Sequence, residues 1–108
     1  DWRHAMALSL IAMFFAGIFL ANGVPHFVKG VTGQRHMTPF ARSSSAMTNV
    51  LWAAPNFVAG SVLLWLGLEQ DAPGVAQAAV AGVAALLISV RLAVMWSDPD
   101  ARLPWHKD

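Results

Sequence analysis

The chain has 108 residues, 56% of them apolar and 12% charged, against roughly 45–50% and roughly 25% in soluble domains. One compact unit is all this length allows, and it lacks the polar surface to cover three long uncharged apolar runs in water, whereas lipid covers them without penalty. A net charge of +1 points away from nucleic acid as a partner, and the lack of cysteine excludes disulfides, a thiolate nucleophile and thiolate-bound metal.

The expected fold class is therefore all-α, an integral membrane bundle of three spans at about 4–22, 47–68 and 75–96, treated as a single domain over 1–108. In the first, fifteen of the seventeen residues from Ala5 to Ala21 are apolar, Ser9 and Gly17 excepted, and no charge interrupts them. Phe19 sits where a signal cleavage site wants a small side chain, so the segment reads as a mature span rather than a secretory leader. Because the chain opens at Asp1 rather than Met, we expect residues ahead of it. Asn22, Gly23 and Pro25 would stop a helix in water, but in a bundle they only kink it, since neighbouring helices satisfy the freed carbonyls. Val24–Val31 thus has two readings, a kinked extension of the first helix or a short fourth segment at the interface. Gln34–Ser45 is the polar connection.

The second span carries Pro55 inside it and ends in a tight turn of Glu69, Gln70, Asp71, Pro73 and Gly74. The third carries one internal charge, Arg91, and stops at Asp98, Pro99 and Asp100. The acids at both turns read as helix terminators. Lys29, Arg35 and Arg42 flank one membrane face together with Arg102, Lys107 and nearby Arg91, against Arg3 alone on the other. The positive-inside rule then puts the N-terminus outside and the C-terminus in the cytoplasm; the membrane is expected to be a bacterial inner one. Trp2 and Trp65 fall at the outer interface, Trp96 and Trp105 at the inner one. Small residues recur at intervals of four, in Gly17/Ala21, Ala78/Gly82 and Ala81/Ala85, as closely packed membrane helices require. They read as intrachain seams or as a face for an oligomer.

Depth sorts the polar residues. Asn22 and His26 share a face if the first helix continues, Asn49 and Asn56 share one on the second with Trp52 between them, and Arg91 nears the inner end of the third. All five polar groups fall in the inner half, while the outer half reads as apolar. Intramembrane polar groups face a bundle interior or a wet cavity. For Asn22, His26, Asn49, Trp52, Asn56 and Arg91 this suggests a ligand pocket for a quinone-like head, a lipid head group or a small anion. The alternatives stay open: Arg91 snorkelling to lipid phosphates, the asparagines acting as interhelical glue, His26 as a plain interfacial residue. No carboxylate is present there to act as base or hold a metal. Haem needs a second helical imidazole at the depth of His26, and His26, His36 and His106 lack metal-motif spacing. No catalytic residue is expected: only His26 titrates near neutral pH, and nothing in the sequence orients it.

The segment Asn22–Gly33 (NGVPHFVKGVTG), followed by Thr38–Ala41 (TPFA), resembles the end of the first helix in small bacterial membrane proteins of the DoxX-like kind, over about a quarter of the chain. The resemblance implies a four-helix bundle, in which Val24–Val31 would have to supply the fourth helix, and for some relatives an association with quinone-linked redox systems. It assigns no residue a role. Two functions are expected. The first is an accessory or structural subunit of a larger membrane complex, surrounded by membrane lipids and by other subunits or copies of itself. The alternative is a DoxX-like binding or transport protein built on the inner-leaflet cluster, with a quinone or lipid as ligand.

Overall fold

Apolar runs of this length can satisfy their backbone in lipid only as helices, and three form. A computed structural model, which describes residues 1–107, gives the order α1 (Trp2–Val31), β1 (His36–Thr38), β2 (Ala41–Ser44), α2 (Ala46–Glu69) and α3 (Gly74–Trp96). All three helices are long and apolar enough to cross a membrane. The molecule is a rod with extents of 50 × 23 × 23 Å, longer than the roughly 30 Å of a bilayer's hydrocarbon core.

Asp1 caps α1, its Oδ1 accepting from the backbone N–H of Arg3 and His4 at 2.9 and 3.1 Å. The helix then runs unbroken through Gly23 and Pro25 for 30 residues, about 45 Å at 1.5 Å per residue. Val24–Val31 is therefore the end of α1, neither an interfacial segment nor a fourth helix. Packing explains its persistence. Gly23 lies against the ring of Phe57, and Gly30 lies where a methyl would strike Val50 and the Ala46 carbonyl. The last two turns of α1 are thus clamped to the start of α2.

Helix α1 stands between the other two, packing along both, while α2 and α3 barely touch. Gly17 brings α3 close: a methyl there would collide with the Ala81 carbonyl and crowd the Ala84 side chain. So one expected seam forms within the chain. The other does not, because Ala78 and Gly82 face outward. The stretch expected as a plain polar connection contains a hairpin. Pro39 and Phe40 form its two-residue turn, with Thr38 opposite Ala41, and an irregularity in register brings His36 opposite Ser44. Ser45 then caps α2, its Oγ accepting from Thr48 N at 3.1 Å.

The half containing the Glu69–Gly74 turn is not wholly apolar, contrary to expectation. There Ser9 donates to the Gly67 carbonyl at 2.8 Å, and Gln77 Nε2 reaches both Ser9 Oγ at 3.0 Å and that carbonyl at 3.2 Å. All three residues are buried. Each helix contributes one, so a buried polar group in lipid finds its partner inside the bundle.

Candidate functional site

At the hairpin end, the continuity of α1 puts Asn22 and His26 on the face it turns to α2. Asn22 Nδ2 donates to Asn56 Oδ1 at 3.0 Å, and Asn56 Nδ2 donates back one turn to the Trp52 carbonyl at 2.9 Å. Asn49, fully buried, is the hub of the end. Its Nδ2 faces the carbonyls of His36, Ser44 and Ser45 at 3.0, 3.2 and 3.0 Å, sharing two hydrogens among three acceptors. That fixes the amide, so Oδ1 faces His26 Nδ1 at 2.8 Å and must accept from it. Neutral His26 therefore carries its proton on Nδ1 and keeps Nε2 as an acceptor. The sequence shows nothing to orient His26; the structure supplies Asn49.

The hairpin and the C-terminal tail roof this cluster. Thr38 Oγ1 and Ser44 Oγ lie 2.6 Å apart across the strands, and Thr38 Oγ1 accepts from Phe40 N at 3.1 Å. The buried His106 receives the Leu103 N–H on Nδ1 at 3.0 Å, which leaves Nε2–H to donate to the Thr38 carbonyl at 2.8 Å. Trp105 Nε1 donates to the Pro39 carbonyl at 2.7 Å, and Arg42 holds the Ala101 and Pro99 carbonyls at 3.1 and 2.7 Å.

Beneath the roof lies a cavity of about 120 Å³, whose walls include Asn22, His26, Trp52, Met95, Trp96 and Leu103. Trp96 Nε1 and His36 Nε2 are both buried and, among the described residues, have no hydrogen-bond partner. The two rings stand 4.1 Å apart at 75°, each within 6 Å of His26, at 5.8 and 5.6 Å. Burial, followed by the nearness of His26 and Lys29, which disfavours a further positive charge, pushes His36 from its usual 6.5 down to about 4, so its ring is neutral at pH 7.

Of the expected site residues, Asn22, His26, Asn49, Trp52 and Asn56 converge. Arg91 does not. It is exposed on α3 and lines a separate groove with Asp98 and Arg102. Both asparagine pairings across α1 and α2 also carry the glue role. His36 and Trp96 complete the site and were not expected in it: His36 was hidden in the polar connection, Trp96 among the interfacial tryptophans. Pro39, a favoured second residue of a β-turn, was the one signal for the hairpin that lifts His36 into place. Among the described residues, no three His, Cys, Asp or Glu side chains are grouped to hold a metal ion.

Comparison of the chain with protein-family models, with curated proteins and with solved structures gave no match.

Proposed function

We propose that the protein is a small membrane binding protein whose hairpin-end cavity takes the head of a neutral, carbonyl-bearing amphiphile such as a quinone. The observation that carries the reading is the buried, unpartnered N–H of Trp96, a residue of the cavity wall. An indole N–H can only donate, and leaving it unmade in a buried site costs about 1–3 kcal/mol, so an acceptor oxygen is what it lacks. His26 Nε2 supplies the complementary acceptor, suited to the hydroxyl of the reduced form. With Arg91 elsewhere, the cavity wall holds no fixed cation, which disfavours a small anion. The sparse contact between α2 and α3 leaves a way in from the lipid along Trp52, Leu92 and Met95. The reading includes no catalysis. The resemblance to DoxX-like proteins is compatible with it.

The test is titration of the purified protein in lipid nanodiscs with a short-chain benzoquinone, read by tryptophan quenching. Saturable binding should weaken at least about tenfold in Trp96→Phe, the equivalent of one hydrogen bond of about 1.4 kcal/mol. Equal affinity in both proteins would sink the reading.

The accessory-subunit reading rests on a different observation: α3 packs mainly on α1 and turns Ala78, Gly82, Val83 and Leu86 outward. Mass spectrometry after gentle extraction would favour it by finding partner chains at fixed stoichiometry. The hairpin end is assigned to the cytoplasm by Lys29, Arg35, Arg42, Arg102 and Lys107 against Arg3. The chain has no cysteine, so single Gln34→Cys and Asp71→Cys variants can be labelled from outside. Only Asp71→Cys should react; the reverse result would invert the topology.

A further inference from the structure

A second concavity lies between α1 and α3, and no residue of α2 or of the hairpin lines it. It measures about 510 Å³, and its walls include Ala21, Val28, Leu92, Ala93 and Trp96, with Lys29 at one end. Along α1 it extends from Ala21 to Lys29, eight residues or about 12 Å. One leaflet of hydrocarbon is roughly 15 Å deep, half of the usual core. The small side chains of Ala21 and Ala93 leave the space open, and the cation stands where the helix emerges beside the hairpin. Lys29 Nζ donates to the neutral Gln34 Oε1 at 3.0 Å. Among the described residues no carboxylate lies within ion-pair distance of it, so its charge is not neutralised by the chain.

We propose that this groove holds one acyl chain of an anionic phospholipid, with the lipid phosphate on Lys29. The occupant follows from charge and length together. A zwitterionic lipid brings its own cation to offset its phosphate and so leaves the charge of Lys29 uncompensated, and a free phosphate would leave two turns of apolar groove uncovered. This site is separate from the polar cavity and does not depend on what fills that cavity, although Leu92 and Trp96 contribute to both walls.

The experiment places the purified full-length protein in nanodiscs of equimolar phosphatidylglycerol and phosphatidylcholine, and releases it for native mass spectrometry. Wild type should retain a single lipid, with phosphatidylglycerol preferred about fivefold, the effect of one lysine near a membrane surface. Lys29→Gln should bring the preference to parity. Arg35→Gln, which removes an exposed neighbouring charge, should leave it intact. Ala93→Phe should fill the groove and abolish retention of either lipid, with helicity by circular dichroism unchanged. An unaltered preference in Lys29→Gln, its loss in Arg35→Gln, or lipid retained by Ala93→Phe would each overturn the proposal. Millimolar inorganic phosphate should not displace the lipid. Displacement would assign Lys29 to a free phosphate and overturn the acyl-chain site.

Discussion

The two ends of the bundle solve the same problem differently. At the Glu69–Gly74 end, Ser9, Gln77 and the Gly67 carbonyl close on one another, and no buried side-chain nitrogen or oxygen among the described residues is left without a partner there. At the hairpin end a larger set of polar groups surrounds a cavity, and two buried nitrogens, on His36 and Trp96, are unpaired. A satisfied cluster fastens helices and needs nothing else. An under-satisfied one is expensive in a low-dielectric setting and is retained where something besides stability uses it. The difference separates fastening from function within a single bundle.

The largest effect on that contrast should come from Asn49→Leu. It strips the amide from the carbonyls of His36, Ser44 and Ser45 and leaves the His26 Nδ1–H unpaired. At about 1–3 kcal/mol for a buried group left unsatisfied, a loss of about 3 kcal/mol is expected. Unfolding in mixed micelles measures it, and hydrogen exchange should show the hairpin opening first. A loss no greater than at the opposite end would erase the distinction between hub and fastener.

Gln77→Leu should cost less. Ser9 keeps its bond to the Gly67 carbonyl, so the variant forfeits only interhelical contacts worth about 0.6 kcal/mol each. A loss above about 2 kcal/mol would show that the clamp, rather than helix packing, holds that end together.

Acid should act on the hairpin end. His36 binds its proton with a folded-state pKa of about 4 against 6.5 for the free ring. Between those values the unfolded chain holds more protons, so stability is complete above pH 6.5 and falls as the pH drops towards 4. Thermal midpoints in detergent across this range should decline with acid in wild type and decline less in His36→Gln. Parallel profiles would mean that the ring is not shielded as its surroundings indicate.

Much of this was legible in the residues, for identifiable reasons. Uncharged apolar runs declare spanning helices because a bilayer imposes length and forbids irregular backbone. Helical periodicity brought Asn22 and His26, then Asn49 and Asn56, to common faces. What escaped depended on tertiary context. Arg91 shares a depth with the cluster but points away from it, and depth alone does not give azimuth. Ser9 and Gln77 belong to different helices and look like isolated polar residues until Gly67 lets the helices approach. His36 enters the site only because a turn at Pro39 and Phe40 folds a short polar segment back on itself, and no period marks so brief a hairpin.

The smallest expected effect on stability is also the most informative. Trp96→Phe keeps an aromatic ring against His36 and deletes one of the two buried nitrogens that, among the described residues, have no partner. If the indole N–H serves the fold, through a contact made in the membrane, its removal should destabilise by about 1 kcal/mol, as for an ordinary hydrogen bond. If it is held ready for a ligand, the empty protein should be unchanged or slightly more stable, because a desolvated donor has been taken away. The same substitution should then abolish the extra stability that a saturating quinone confers on wild type, which grows with ligand concentration relative to its dissociation constant. Neutral stability combined with lost ligand protection would mark Trp96 as a binding residue. Destabilisation with ligand protection intact would return it to the packing of the bundle, and the contrast between the two ends would become one of degree.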